Sequence, residues 1–323
     1  MSDKTLHPIC AFDIGPDGQA VLLEEPWPDA ASAISDGYRW LHFDLTDPAL
    51  EAWTDEKLPP VAAYALRQSE TRPRCDVFED GVLLNLRGVN LNPGNDPEDM
   101  VSLRLWVRPG LIVTARLRKL WAVDALRKAI DAGKAPVAIA DFLNLLTYEL
   151  SKRIERVSLD LEEETDALEE KLLGESSGLS GELVILRQSV IKLRRFVRPQ
   201  CEALNDLSQW QSALLDQGHS DLLRETANRA TRTIEALDAI SERLTAMQDH
   251  LETRHASALG RNSYILSVAA AIFLPLGFLT GLFGINVGGM PGVDSPYGFA
   301  VVTIASCVIG VLLFVVFRLR KWL

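Results

Sequence analysis

The sequence predicts an α/β cytoplasmic domain, then a long α-helical stalk, then two C-terminal transmembrane helices. Three observations predict it. Strand and turn signals mix with short helical patterns as far as residue 134 and then vanish. From Ala135 the apolar residues fall at helical spacing through three long stretches. Two uncharged apolar runs, Tyr264 to Phe283 and Tyr297 to Phe317, close the chain, and each is about the twenty residues a helix needs to cross a bilayer.

The elements follow in order. Ile9 to Ile14 and Ala20 to Leu23 form a hairpin across Gly15-Pro16-Asp17-Gly18. Arg39 to Leu45 alternates as a strand. Short helices are expected over Ala49 to Leu58 and Val61 to Gln68, the second started by Pro59-Pro60. Asp76 to Phe78 pairs with Val82 to Val89 across Glu79-Asp80-Gly81, and Ser102 to Val107 with Leu111 to Leu117 across Arg108-Pro109-Gly110. A helix at Ala122 to Ala132 completes the domain. Ala135 to Leu173 is one long helix, ended by Gly174 to Gly178. Glu182 to about Leu215 is a second, with Pro199 as an expected kink. Gln217 to Asp221 breaks the pattern again, and Asp221 is the expected N-cap of a third.

Along this third helix Leu223, Ala230, Leu237, Leu244, Leu251 and Ala258 recur at sevens, with Ile240 and Met247 three residues after two of them. That is a coiled-coil seam, and it implies an oligomer. It passes without a joint into the first apolar run. A continuous helix from Asp221 to Phe283 would span roughly 95 Å at 1.5 Å per residue. These signals divide the chain into an α/β domain at 1–134, long antiparallel helices at 135–220, a stalk helix at 221–262, a first span at 263–283, an outer loop at 284–296, a second span at 297–317 and a basic tail at 318–323.

Composition narrows the function. The chain has 323 residues and a net charge of −11, from 44 acids against 33 bases. That balance argues against nucleic acid, whose phosphates need a basic face, and suits a body that attracts cations. Cys10, Cys75, Cys201 and Cys307 show neither disulfide nor zinc-ligand spacing, which points to a reducing cytoplasm for the soluble part. The start of the chain does not read as a signal peptide. No Lys or Arg occurs between Asn262 and Phe317, whereas Arg254 and Arg261 precede the first span and Arg318, Arg320 and Lys321 follow the second. The positive-inside rule then places both termini in the cytoplasm and the short loop outside, with Trp322 in the interfacial belt. No nucleophile–base pair, P-loop or HExxH appears, so an enzyme is not expected, nor a resident cofactor.

Two spans of one chain enclose no path, so any path lies on the axis of an oligomer. One face of the first span carries Gly260, Ser263, Ser267, Ala270, Leu274, Gly277 and Gly281. Six of these seven are small, two with hydroxyls, and the remaining Leu274 would form a constriction that gates by dewetting. Close helix packing is the alternative, since Gly277 and Gly281 also make a GxxxG. Asn286 is the sole amide at the outer end. A ring of it, with carbonyls exposed by the neighbouring glycines, suits a hydrated divalent cation, though Asn is also a common helix C-cap. Asp294 is the single charge of the outer loop, either a ring that concentrates cations or a turn residue. Pro275 shapes the helix near Leu274 or serves packing.

Other groups are weaker. The acid run from Asp160 to Glu170 reads as a solvated face. Glu225, Glu235, Asp238 and Glu242 read as coiled-coil salt-bridge partners of Arg224, Arg229, Arg232 and Arg243 in preference to metal sensors. His7 with Cys10, or His250 with His255, falls short of the four ligands of a structural zinc site.

The layout resembles the CorA superfamily of divalent metal ion transporters. The resemblance rests on Phe273-Leu274-Pro275 within the first span, the Gly284-Ile285-Asn286 turn and the Arg320-Lys321-Trp322-Leu323 ending. The family's signature is Gly-Met-Asn. Gly284-Ile285-Asn286, the following Val287-Gly288-Gly289-Met290-Pro291-Gly292 and the segment Ser69-Glu70-Thr71-Arg72-Pro73-Arg74 are similar to its ZntB zinc transporter branch. The resemblance implies a homopentameric funnel in the bacterial inner membrane with an axial pore lined by the first span. It implies Zn²⁺ as the transported ion, with Cd²⁺, Ni²⁺ or Co²⁺ as further cargo, and coupling to protons. By position, Gly284, Ile285 and Asn286 would form the selectivity filter, Asn286 meeting the ion through its water shell. Leu274 would be the constriction, Gly277 and Gly281 the path below the filter, and Gly260 and Ser263 the inner gate. A magnesium or cobalt channel is the alternative within the class. A membrane-tethered coiled-coil sensor or scaffold without flux is the alternative outside it.

Overall fold

The structure, a computed structural model, describes residues 6–24, 32–69, 71–79, 81–174, 178–284 and 295–320. The chain forms two compact units, 1–248 and 249–323.

The first unit is built on a seven-stranded sheet of order β2-β1-β3-β7-β6-β5-β4. Its strands are β1 (Cys10–Ile14), β2 (Ala20–Leu22), β3 (Tyr38–Asp44), β4 (Arg74–Phe78), β5 (Gly81–Gly88), β6 (Val101–Arg108) and β7 (Leu111–Arg116). Neighbours pair antiparallel except β3 and β7, which run parallel with Trp40 opposite Ile112 and His42 opposite Thr114. The expected hairpins are present, each within two residues of its anticipated ends. Between β6 and β7 the two-residue turn Pro109-Gly110 needs a positive φ at its second position, and Gly110 has φ +73°.

Alternation along the strands sorts two apolar faces. Ala11, Leu41, Phe43, Leu83, Trp106, Val113 and Ala115 pack under α1 (Leu50–Lys57) and α2 (Pro60–Arg67). Pro60 is pre-set for the first turn of α2. Past the other end of α2, the fully buried Arg104 donates to the Gln68 carbonyl from Nε at 3.0 Å, to the Ser69 carbonyl from Nη2 at 3.1 Å and to Ser102 Oγ from Nη1 at 3.0 Å. A guanidinium so placed satisfies carbonyls that the helix end leaves open. On the opposite face Phe12, Ile14, Trp40, Leu84, Leu105 and Ile112 share one core with residues of α3 (Trp121–Asp131), α4 (Ile139–Leu173), α5 (Leu179–Ser208) and α6 (Gln217–Phe283). That core includes Phe142, Leu204, Leu223 and Ala230, so it runs across residue 134 into the long helices.

Four helix ends differ from the sequence reading by three residues or more, among them the start of α5, at Leu179 rather than Glu182. α4 starts at Ile139, not Ala135, because Asp141 Oδ2 accepts the Ala138 N–H at 3.0 Å and fixes the first turn there. α5 ends at Ser208 rather than near Leu215, and Trp210 and Leu215 turn into the core instead. Pro199 lies inside α5. α6 starts at Gln217, and Asp216, not Asp221, caps it: Asp216 Oδ1 accepts the His219 N–H at 2.8 Å.

The heptad seam has a different partner from the one expected. Leu223, Ala230, Leu237, Ile240, Leu244 and Met247 are buried within the single chain. α4 and α5 lie alongside. Arg229 donates to Glu155 at 2.9 Å and Arg243 to Asp166 at 2.7 Å, both on α4, while Arg198 of α5 donates to Asp238 at 2.7 Å. The seam is thus filled by the chain's own helices as far as Met247, and its spacing does not by itself imply an oligomer. Of the expected pairs along α6 itself, Glu225 with Arg232 is present at 3.1 Å.

Candidate functional site: the first membrane helix

The second unit holds the last part of α6 and α7 (Gly298–Leu319). Both helices are long and apolar enough to cross a membrane, with mean hydropathy of 2.2 and 2.9 over their most apolar windows. Hydroxyls inside them are bonded to the backbone one turn back. Ser267 Oγ donates to the Ser263 carbonyl at 2.9 Å, and Thr303 Oγ1 to that of Phe299 at 2.8 Å. A span in lipid needs this internal satisfaction. Pro275 lies within α6 without ending it.

One stripe of the first span is partly covered, and the rest, including the large apolar Leu266, Phe273 and Phe278, is exposed. Val268, Ala269, Ala271, Ile272, Leu276 and Leu279 are partly covered. On α7 the partly covered positions are Gly298, Val302, Ser306, Ile309, Gly310, Leu313 and Phe317, one stripe at three-four spacing. Leu276 Cδ1 lies 3.7 Å from the place a Cβ on Gly310 would occupy, which marks where the two stripes meet. The second stripe was not singled out from sequence, although its small residues Gly298, Ser306 and Gly310, four and eight apart, carried the signal.

Every member of the expected path face is exposed: Gly260, Ser263, Ser267, Ala270, Leu274, Gly277 and Gly281. At 100° per residue this face points away from the covered one. A Cβ added at Gly260, Gly277 or Gly281 would meet no atom within 4 Å. The GxxxG therefore does not pack the two spans of one chain together. Gly284 closes α6, its N–H donating to the Thr280 carbonyl at 2.9 Å. Ile285, Asn286 and Asp294 lie outside the described residues.

The other sequence candidates form no metal cluster among the described residues. Asp166 and Glu169 of the acid run pair with Arg243 of α6, and Asp160 with Arg156. Glu235 and Glu242 are exposed. Cys10 is buried in the core, where desolvation pushes its thiol up to about 12, while His7, His250 and His255 are exposed.

A soluble α/β unit followed by two helices long and apolar enough to cross a bilayer is the architecture of a membrane protein. The chain belongs to the CorA-like Mg²⁺ transporter family, whose description matches it over residues 35–321. It is 35% identical over 289 residues to the divalent cation transporter CmaX of Pseudomonas aeruginosa, covering 88% of this chain and 87% of that one. It is 34% identical over 262 residues to the zinc transport protein ZntB of Pectobacterium atrosepticum, covering 80% of each. The solved structure of full-length CmaX superposes with a TM-score of 0.83 at 31% identity, over the whole of both chains.

Proposed function

We propose that this protein carries divalent cations, Zn²⁺ above all, across the bacterial inner membrane through a pore on the axis of a homopentamer. The observation that carries the reading is the open small-residue face of the first span, opposite the face that α7 covers. Copies of α6 arranged with that face inward give a lining of Gly281, Gly277, Ala270, Ser267, Ser263 and Gly260. It leaves room for an ion with its water shell. Leu274 is then the narrow apolar ring at which the path dewets.

At the outer end Gly284, Ile285 and Asn286 form the filter, the Asn286 amides holding the hydrated ion, and Asp294 adds charge in the outer loop. No thiolate, imidazole or carboxylate lies on the lining stripe, so the ion is not stripped by soft ligands there. Zinc as cargo, with Cd²⁺, Ni²⁺ and Co²⁺ as further ions, draws support from the likeness to the zinc transport protein. Mg²⁺ is the second reading, favoured by the family's description. Both termini lie in the cytoplasm, supported by the arginines at the cytoplasmic ends of the two spans.

Purified protein in liposomes containing a zinc-sensitive dye tests the proposal, with and without a pH gradient. Zinc-dependent signal exceeding that of empty liposomes is the expected result, and a pH gradient that changes the rate would show proton coupling. No flux of any divalent ion leaves a tethered sensor or scaffold. Magnesium flux above zinc flux transfers the chain to the magnesium reading.

A further inference from the structure

The geometry points to a proton-binding site in the first unit: His219 held as an imidazolium between Asp216 and Asp141, tying the first turn of α6 to the first turn of α4. It stands apart from the question of which ion crosses the membrane.

His219 lies in the first turn of α6. Its Nδ1 is 2.6 Å from Asp216 Oδ1, and its Nε2 is 3.1 Å from Asp141 Oδ1. Both ring nitrogens thus meet carboxylate oxygens. A neutral imidazole has one N–H and one lone pair, so it can donate to only one of them. The other contact would set a lone pair against an anionic oxygen. Both contacts are hydrogen bonds only when the ring carries two protons and a positive charge.

Each carboxylate also holds a helix start. Asp216 Oδ1 accepts the His219 N–H at 2.8 Å, and Asp141 Oδ2 accepts the Ala138 N–H at 3.0 Å. The imidazolium therefore joins two helix caps that are far apart in sequence. One belongs to α4, which the sheet core buries, and the other to the helix that carries the first span.

The charged groups around the ring agree with this. Desolvation pulls the ring down, but the hydrogen bonds and charges of Asp141 and Asp216 outweigh it, and His219 is held above its ordinary 6.5. Asp216 is held below its ordinary value, first by the His219 N–H and also by the ring. On α6 the next charges, Asp221 and Arg224, are engaged with each other at 2.9 Å. From β3 the buried Tyr38 phenol donates to the Pro136 carbonyl at 2.8 Å, close enough to Asp141 to feel its charge. A raised histidine contributes fully below 6.5 and loses its contribution as pH rises through the folded value. The tie is made below 6.5 and opens as pH rises through the folded value.

The test uses the full-length protein in detergent micelles with isotope-labelled histidine. The chain has five histidines, and His219→Gln identifies the signal. His219 is expected to titrate above 6.5, with the protection factors of the amides over residues 217–221, which remove the base-catalysed rise in exchange, falling severalfold across that titration. Asp141→Asn keeps a carbonyl oxygen for Ala138 but removes the charge. It should lower the midpoint by about one unit, a tenfold loss of proton affinity. Asp216→Asn, which still caps a helix, gives the same test should the first variant not fold. A midpoint at or below 6.5, or one that neither variant moves, overturns the proposal.

Discussion

Leu276 of the first span lies against Gly310 of the second: Leu276 Cδ1 is 3.7 Å from where a Cβ at Gly310 would sit. One methyl group fits there at ordinary contact distance, and a branched side chain has Leu276 in its way. Gly310→Ala should therefore leave thermal stability in detergent nearly unchanged. Gly310→Leu should cost about 1–3 kcal/mol, because Leu276 must leave its rotamer. Equal melting of the two variants would mean that the hairpin does not pack through this pair.

Gly277 offers the opposite case. With no atom within 4 Å of an added Cβ, Gly277→Leu should fold and insert as the parent does. On the proposed axis it adds a second apolar ring to that of Leu274, and zinc flux into liposomes should fall by about tenfold or more as the path dewets. Leu274→Ser should do the reverse and raise resting flux. Unaltered flux in both variants would remove this face from the path.

Arg104 carries a charge with no exposed surface and no carboxylate partner among the described residues. Desolvation, with repulsion from Arg87, lowers it to about 10, so it remains charged at neutral pH. Arg104→Met leaves the half-buried Gln68 carbonyl without its donor, at an expected cost of about 1–3 kcal/mol in denaturant unfolding followed by tryptophan fluorescence. Arg104→Lys should recover only part of this, because an ammonium cannot fork between two carbonyls.

His42 makes acid stability a matter of the sheet. It is buried between β1 and β7, with Nδ1 2.8 Å from Thr114 Oγ1, and desolvation followed by the charges of Arg116 and Arg127 lowers it to about 3. The unfolded chain takes up this proton near 6.5 and the folded chain only near 3, so stability falls as pH drops through that window. The slope from this group alone is about 1.4 kcal/mol per pH unit. His42→Gln should flatten the acid limb of a pH–stability curve. An identical limb in both proteins would place the acid lability elsewhere.

Strands and hairpins were legible because alternation and turn chemistry are local. Helix starts were less so: Asp141 and Asp216 set them through single hydrogen bonds, and several nearby acids compete for that role in the sequence. The seam at Leu223 to Met247 shows a sharper limit. Period reveals that a helix face is apolar, but it does not say whose side chains cover it, and here α4 and α5 do. The candidate path was legible as a run of small residues at three-four spacing. Whether Gly277 and Gly281 pack against the second span could be read only once Gly310 had been placed beside Leu276.

The shared core of the first unit also orders its birth on the ribosome. Ile14 and Trp40 are made early, but the core that holds them is closed by Leu223, Ala227 and Ala230 of α6. Synthesis proceeds from the N-terminus, so α3, α4 and α5 can cover the sheet first, and the core is completed only when the stalk arrives. The apolar part of that same helix follows directly behind. Completion of the soluble unit and delivery of the first span to the membrane are therefore consecutive events, and a nascent chain stalled before α6 would show chaperones a core lacking Leu223, Ala227 and Ala230.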